Sequence, residues 1–392
     1  MRKSSLLIIF SVVFIDLIGF GIVIPILPYY ARQYGASAWT LGWLMTSYSL
    51  MQFLVAPIWG RVSDFVGRRP VILCSQVGTC ASMILLGFAP SLKWLFIGRI
   101  FAGISAANIS TAYAYVSDVT TEENRAKGMG LIGAGFGLGF IFGPAIGGLL
   151  SRYGYAAPMF AAAGLGVLNF IFTLFKLEEP KLSIEARASN RTRKFSMEAI
   201  RTALGDLRSR GGIGLFLLIT FAVTQMEVVF AIYMKGRFNY DAQHAGMVLA
   251  IMGIIMVLIQ GGLIGRLSKK FGPANLIIFG AALCSLALLG FASSTTAWLS
   301  IVALSFMAAG HGILHPSLST VTSLGASPRN RGATMGVFHS AGSLARVLGP
   351  PCAGWLFDQV GATAPFYSAA IVLAGASAIA ILWNNQVLNQ TP

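Results

Sequence analysis

Long apolar segments follow one another from end to end of this sequence. Twelve of them are long enough for a membrane-spanning helix, at roughly residues 6–30, 39–60, 70–90, 93–117, 127–150, 157–176, 212–235, 243–265, 274–293, 297–320, 331–355 and 364–384. A helix needs about 20 mostly apolar residues to cross a bilayer, whereas a transmembrane barrel shows short alternating strands. Only 10% of the residues are charged and 56% are hydrophobic, which excludes a soluble enzyme, a disordered scaffold and a disulfide framework. We therefore predict an all-α membrane protein with twelve spans.

The basic residues concentrate on one side of these spans. Of the 28 lysines and arginines, 21 lie on the side of the amino terminus, five lie on the other side, and Arg99 and Arg346 lie inside spans. Cytoplasmic loops of membrane proteins carry such an excess. We predict a multi-pass protein of the cytoplasmic (inner) membrane with both termini in the cytoplasm. The net charge of +15 is therefore explained by basic loops that orient the protein in the lipid bilayer, and we expect no nucleic-acid partner.

The two halves of the chain carry an internal repeat. Gly60 and Gly67 return as Gly265 and Gly272 at an offset of 205 residues, and the Gly-Pro pair at Gly143 returns at Gly349 at an offset of 206. Six spans per half give both halves the same topology, related by an axis along the membrane normal. We predict two pseudo-symmetric six-helix bundles at 1–176 and 212–392, a cytoplasmic linker at 177–211, and a substrate cavity between the bundles. A self-contained cavity favours a monomer.

Four segments resemble one known family. Residues 60–70 read GRVSDFVGRRP, which is similar to the loop signature of the major facilitator superfamily, and residues 139–148 read GFIFGPAIGG, which resembles its antiporter motif. Arg99 and Gly103 are similar to its R-x-x-x-G element. Residues 16–28 resemble the first span of twelve-span drug/proton antiporters, which include tetracycline/proton exchangers and multidrug efflux pumps. The resemblance covers essentially the whole chain and implies the major-facilitator fold.

The resemblance also implies roles for particular residues. The conformational latch would consist of Gly60, Asp64, Gly67, Arg68, Arg69 and Asp118. Arg68 would bridge to Asp118, and Asp64 would face the amino terminus of span eleven in the outward-facing state. The antiporter motif would consist of Gly139, Gly143, Pro144, Gly147 and Gly148. From the residues themselves, glycines permit a tight turn in the loop, and small residues four apart let two helices touch backbone to backbone.

Four charged residues lie well inside spans: Asp16, Arg99, Glu227 and Arg346. Placing an ionised residue at mid-bilayer costs about 2.5–3.5 kcal/mol of insertion free energy, so such residues usually face a cavity or a partner. Desolvation raises a carboxyl pKa and a nearby arginine lowers it, so an acid that exchanges these environments can carry a proton. We predict that Glu227 is the main proton carrier, with a permanent Glu227–Arg346 ion pair as the alternative. Asp16 is either a proton relay or a partner of Arg99.

Histidine and soft apolar side chains complete the candidate site. His311 and His315 share one face of span ten. Three roles stay open for them: groups that line the cavity or carry protons, packed neutral histidines, or metal ligands. We predict no metal site. The substrate cavity candidates are Tyr113, Met226, Phe230, Met252, Met256, Phe338 and His339. Polarisable side chains of this kind suit varied lipophilic compounds, although in a membrane helix they can equally face lipid. Spans three and nine have no acid in residues 76–86 and 281–290, where tetracycline exchangers carry one, which argues against tetracycline as the substrate.

Together these features predict a transporter. We expect a proton-coupled exporter of amphipathic or lipophilic organic compounds that works by alternating access, with protons as the coupling ion and no other cofactor. The alternative is a proton-coupled symporter or uniporter for a nutrient or metabolite on the same fold, since fold does not fix direction or substrate. A membrane sensor or intramembrane enzyme is a third class. We expect no enzyme, because no convergent nucleophile, GxSxG motif or ATP-binding loop is present.

Overall fold

The computed structural model describes residues 3–106, 109–120, 122–180, 201, 203–327 and 330–388, and every long element in these ranges is a helix. In chain order the helices are α1 (Lys3–Gln33), α2 (Ala38–Val66), α3 (Arg68–Gly87), α4 (Leu92–Ser105), α5 (Ile109–Val119), α6 (Glu122–Leu150), α7 (Ala156–Lys176), α8 (Leu207–Phe238), α9 (Ala242–Leu258), α10 (Ile264–Phe271), α11 (Pro273–Ser293), α12 (Ala297–Gly325), α13 (Arg331–Gln359) and α14 (Ala364–Leu388). A short 3₁₀ turn, Ser151–Tyr153, follows α6, and a π-helix, Ile259–Leu263, joins α9 to α10. Most of the predicted linker, residues 181–200 and 202, lies outside the described residues.

The all-α membrane fold is confirmed, with a helix at each of the twelve predicted spans. The fourth span comprises α4 and α5, and the eighth comprises α9, the π-helix and α10. Within the described residues, eleven spans are long and apolar enough to cross a membrane. The exception is α13, whose glycines, serines, prolines and Arg346 lower its mean hydropathy, although its 29 residues give ample length.

The described chain divides into two compact units. Unit 1 comprises Met1–Ala36, Ser47–Lys194 and Tyr240–Ala250, and unit 2 comprises Ser37–Thr46, Phe195–Asn239 and Ile251–Pro392. The first turns of α2 therefore belong to unit 2, and the first turns of α9 belong to unit 1. The division of the chain into two six-helix bundles stays a prediction.

Unit 1 is built around α1. Aliphatic residues of α1, including Ile9 and Val12, are buried against Tyr115 and Val116 of α5 and Ile132 of α6. Further along α1, backbone contacts with α6 replace side-chain packing, because glycines of the two helices face each other.

Unit 2 is built around α8, most of which is buried. Four rings join this helix to α11 and α14: Tyr233 and Phe230 of α8, Phe291 of α11 and Phe366 of α14. The Tyr233 and Phe366 centroids are 4.8 Å apart, and those of Phe291 and Phe366 are 4.9 Å apart in an edge-to-face arrangement. Such pairs add to the stabilisation that burial alone gives. This cluster fixes one end of α8 and leaves its middle to the polar residues described below.

Candidate functional site

The turn between α2 and α3 consists of Gly67 alone. Helix α2 continues to Val66, α3 begins at Arg68, and Gly67 between them has a φ of 110°, which favours glycine. The interpretation of residues 60–70 as a loop was wrong except at Gly67, because residues 60–66 belong to α2 and residues 68–70 belong to α3. At Gly60, inside α2, an added Cβ would meet no atom within 4 Å. Polar residues after Gly60 end the apolar span, but they do not stop the helix.

Arg68 is the centre of a buried charged group beside this turn. The residue is 4% exposed. Its Nη1 lies 2.7 Å from Asp64 Oδ1, and its Nε lies 2.9 Å from Asp118 Oδ2. Nη1 also donates a hydrogen bond to Ser63 Oγ. The Arg68–Asp118 contact is the one that the family resemblance implies, and the latch role of these residues stays a prediction.

Glu179 completes this site, although sequence reasoning missed it. Its Oε1 accepts a hydrogen bond from the Arg68 backbone N–H at 2.7 Å, and its Oε2 accepts one from the Arg69 N–H at 2.8 Å. Gly67 occupies the N-cap position of α3 and has no side chain with which to cap the helix. A carboxylate at a helix amino terminus satisfies free N–H groups and opposes the positive end of the helix dipole. The available signal was an acid just after the end of α7, but its target is more than 100 residues away.

Replacing Arg68 tests this charged group. We expect Arg68→Ala to destabilise the protein by about 3–5 kcal/mol, because Asp64 and Asp118 would face each other without their shared cation. Thermal unfolding of the purified protein in detergent measures the loss. Arg61→Ala, at an exposed arginine near the end of α2, is the matched control and should leave the unfolding temperature within error. Equal effects of the two substitutions would contradict this account of the site.

The small residues of the antiporter motif bring α6 onto α1. A Cβ added to Gly143 would lie 2.6 Å from the Cα of Gly21, and one added to Gly139 would lie 2.5 Å from Leu17 Cβ. Gly147 faces the backbone of Ile22 in the same way, and Pro144 lies within α6. Gly148 faces the other way and approaches Gly246 of α9. Backbone contact is thus the physical role of these residues here.

Arg99 is buried inside unit 1 at 2% exposure. Its guanidinium lies over the ring of Tyr48, with the Arg99 Cζ 4.3 Å from the ring centroid. A cation over an aromatic face gains electrostatic stabilisation, which is larger when both groups are desolvated. Its Nε and Nη1 have no hydrogen-bond partner among the described residues. Of the two roles predicted for Asp16, proton relay and partner of Arg99, neither is tested by these contacts.

Unit 2 brings Glu227 of α8 and Arg346 of α13 close enough for their charges to interact. The two helices pack tightly on either side of Arg346. On one side, a Cβ added to Gly342 would overlap the Phe216 ring, and on the other, one added to Gly349 would overlap the Thr224 hydroxyl. Arg346 Nη2 also donates to Ser343 Oγ at 3.2 Å. Gly342 and Gly349 therefore lie on either side of Arg346, at points where α8 and α13 leave no room for a larger residue than glycine.

Three histidines are linked to Arg346, directly or through one another. The charge of Arg346 acts on His315 of α12 and on His339 of α13, and His311 interacts with His315. The His315 ring stands edge-on to Phe216, with centroids 5.6 Å apart. Among the described residues, no group of three or more His, Cys, Asp or Glu side chains is arranged to hold a metal ion.

The predicted cavity residues fall into two groups. Met226, Phe230 and Phe338 are at most 1% exposed, so in this structure they pack as core residues, and their role as cavity residues stays a prediction. The position of these residues along their helices did not predict their burial, because the sequence does not show which neighbouring helices cover that face of α8 and α13. Tyr113, Met252 and Met256 are half-buried, and His339 is exposed.

Two further features near this cluster carried no recognisable signal in the sequence. Gln225 of α8 is fully buried, and neither atom of its side-chain amide has a hydrogen-bond partner among the described residues. The π-helix Ile259–Leu263 packs against α12, where a Cβ added to Gly312 would lie 3.2 Å from Ile259 Cβ. Short π-helices are frequent at functional sites. Gly312 follows His311, so this irregular segment lies beside the histidines.

Comparison with known proteins agrees with this architecture. The family model described as Major Facilitator Superfamily matches residues 9–349 and 262–390. The class C tetracycline resistance protein of Escherichia coli is 33% identical over 355 residues, which covers 89% of this chain and 88% of that protein. Multidrug resistance protein 2 of Bacillus subtilis is 28% identical, with 98% of this chain and 96% of that protein covered.

Solved structures give the same result. The human organic anion transporter MFSD10 (TETRAN) has a TM-score of 0.72 at 25% identity, with 96% of this chain and 99% of that chain covered. An inward-facing bacterial homologue of the human lysosomal transporter Spinster has a TM-score of 0.80 at 16% identity, with 99% and 98% covered. These matches cover nearly the whole chain, including the motif residues and the helices described above. The chain belongs to the Major Facilitator Superfamily.

Proposed function

We propose that this protein exports amphipathic or lipophilic organic compounds across the cytoplasmic membrane of a bacterium in exchange for protons. The names of its relatives, tetracycline and multidrug resistance proteins, support this reading. The single observation that carries it is an acid and an arginine, Glu227 and Arg346, whose charges interact within membrane-spanning helices. The cytoplasmic position of both termini and a monomeric state belong to the same proposal.

The chemistry follows from what Arg346 does to Glu227. An arginine stabilises the carboxylate form of a neighbouring acid, and burial without that arginine stabilises the protonated form. A cycle that changes the distance between the two groups therefore binds a proton in one conformation and releases it in the other. The charge of Arg346 also acts on His315 and His339, and His311 interacts with His315. We include these imidazoles in the proposal as groups that relay protons to the acid.

The substrate surface that we propose combines rings with soft side chains. Phe216 and Phe338 stack with centroids 3.9 Å apart, and His315 and His339 contact the edges of this stack. Met252 and Met256 are half-buried in α9. Thioether and aromatic groups adapt to varied apolar shapes, so they favour a broad set of lipophilic substrates over one polar nutrient.

Flux measurements in liposomes test this function. Purified protein is reconstituted, and a panel of lipophilic fluorescent compounds, with tetracycline as a separate arm, is followed while a pH gradient is imposed. We expect uphill movement of the lipophilic compounds against the direction of proton flow. Uphill movement in the same direction as the protons would replace export with symport, and flux that ignores the gradient would leave only a uniporter.

A further inference from the structure

Polar side chains meet inside unit 1 where α1, α3 and α7 pack together. Gln76 of α3 is 2% exposed, and its Nε2 donates to Thr173 Oγ1 of α7 at 3.1 Å. Asn169, one turn before Thr173, is 3% exposed. Ser11 Oγ of α1 donates to Asn169 Oδ1 at 3.4 Å, as well as to the Ile8 carbonyl at 2.8 Å. The three helices thus bring two side-chain amides and two hydroxyls to one buried junction.

Two atoms of this junction lack a hydrogen-bond partner. Gln76 Oε1 and Asn169 Nδ2 are buried, and neither is bonded within the part of the chain that the structure describes. Thr79, one turn further along α3, adds a buried Oγ1 in the same condition. An unpaired buried polar group costs about 1–3 kcal/mol, and most such groups in proteins are bonded to protein or to ordered water. The unpaired amide atoms therefore indicate a bound ligand.

The chemistry of the two amide atoms selects that ligand. The side-chain oxygen of Gln76 is an acceptor, whereas the side-chain nitrogen of Asn169 is a donor. A metal ion can bind the oxygen but cannot accept a hydrogen bond from the nitrogen, and an anion has the opposite mismatch. A water molecule both donates and accepts, and a buried water typically makes about three hydrogen bonds to groups of this kind. Water is therefore the ligand that satisfies both amides.

The second half of the chain packs the related helices without amides. At the 205-residue offset of the turn glycines, Ala281 of α11 takes the place of Gln76. With the prolines near the starts of α7 and α14 aligned, Ala376 of α14 takes the place of Asn169. Both alanines are fully buried, and α11 packs against α14 as α3 packs against α7. The fold therefore does not need polar groups at this junction, and those of unit 1 require another explanation.

The junction also leads towards Asp16 of α1. Cys80 lies one turn beyond Gln76 on the side of α3 that faces α7, where a Cβ added to Gly166 would lie 2.6 Å from the Cys80 Sγ. The charge of Asp16 acts on this thiol. Four helical residues span about 6 Å, so water at the amides lies close to the region that the Asp16 charge reaches. An ionisable residue inside a membrane span needs polar surroundings of this kind.

We propose that Ser11, Gln76 and Asn169 hold ordered water inside unit 1, and that this water solvates Asp16. The Asn169 amide donates to the water, and the water donates to Gln76 Oε1. The inference goes beyond the proposed function and does not rest on it, because a hydrated acid in unit 1 is compatible with export, symport and uniport alike. It assigns Asp16 a solvating partner and leaves the choice of proton carrier to the flux experiments.

Radiolytic footprinting of the purified protein tests the water site. A brief X-ray exposure in water enriched in ¹⁸O turns bound water into hydroxyl radicals, which oxidise the nearest side chains, and mass spectrometry locates the product. Cys80 and Met83 are the reporters, because both are buried and Met83 packs against Gly19 of α1. We expect both to be oxidised in the wild-type protein, and at least threefold less in Asn169→Leu, whose apolar side chain fills the site.

The control reporters are Cys284 and Met307 of unit 2, where the Cys284 thiol donates to the Met307 carbonyl and both residues are buried. We expect them to stay unoxidised, since their side of α11 carries no unpaired amide. Oxidation of Cys80 and Met83 at the level of this control pair would overturn the proposal. Asn169→Ser leaves a hydroxyl and space for water, so it should keep the wild-type footprint. An equal loss of oxidation in Asn169→Ser and Asn169→Leu would show disturbed packing and also overturn the proposal.

A double-mutant cycle tests the link between the water and Asp16. Without the water an ionised Asp16 loses its solvation, so Asn169→Leu should lower the unfolding temperature, and adding Asp16→Asn should recover at least half of that loss. Purely additive effects of the two substitutions would overturn the link. If Asn169→Leu does not fold, Gln76→Leu takes its place in both experiments. Absence of proton-driven flux would refute the proposed function without changing either result, so the two failures can be told apart.

Discussion

Glu227→Gln is expected to abolish uphill efflux while leaving downhill exchange of substrate intact. The substitution keeps the size and hydrogen-bonding capacity of the side chain, but it removes the group whose charge interacts with Arg346. One net charge crossing 100 mV supplies about 2.3 kcal/mol, which sustains a concentration ratio of about 50. We expect this ratio to fall to about one in liposomes with an imposed membrane potential and pH gradient.

The control for this experiment is an acid in the other unit. Asp16→Asn removes the second carboxylate that the sequence places inside a span, and counterflow of labelled substrate without a gradient shows whether each variant still binds and moves its cargo. Persistent uphill efflux in Glu227→Gln would contradict the assignment. Loss of coupling in Asp16→Asn or His311→Gln instead would transfer the proton-carrying role to that residue.

Gly143→Ala is expected to cause the largest loss of stability among single-methyl changes in α6. The added Cβ would lie 2.6 Å from Gly21 Cα and 2.8 Å from the Ile18 carbonyl, so α1 and α6 must move apart along their whole contact. Overpacking of this kind costs about 1–3 kcal/mol, and here it meets backbone, which cannot rotate away. Thermal unfolding of the purified protein in detergent measures the loss, and efflux should fall with it.

Gly133→Ala in the same helix is the matched control. A Cβ at Gly133 would meet no atom within 4 Å, and alanine is the better helix former by about 1 kcal/mol. We expect this variant to unfold at or slightly above the wild-type temperature. If both substitutions lower the unfolding temperature equally, helix crossing at Gly143 is not the reason for the glycine.

The amino-acid sequence predicted well those features that depend on local composition. Each apolar run is a helix, because a helix is the structure in which a single spanning segment satisfies its own backbone hydrogen bonds in a bilayer. The glycine at position 67 forms the turn, and its repeat at Gly272 has a φ of 75° before α11. The spacing of Gly139, Gly143 and Gly147 predicted a close crossing of helices, and α1 is the helix they meet.

Sequence reasoning failed where the answer depended on which helix covers a face. The sequence did not show that neighbouring helices bury Met226 and Phe230 in this structure, and whether these residues line a cavity stays a prediction. The polar residues that follow Gly60 predicted a loop, but Gly60 lies inside α2. A polar stretch can end a membrane span without ending the helix.

The caps show the same division between local and long-range information. The cap of α9 by Asp241 acts over three residues and can be read from the chain. The caps of α3 by Glu179 and of α2 by Asp358 act over 110 and 320 residues respectively. By itself the sequence determined the helices, their order and the sites of close approach, because hydrophobic length and side-chain size are local properties. Only the tertiary structure decided which carboxylate meets which helix end, because a free N–H group donates to any acceptor that the packing brings near.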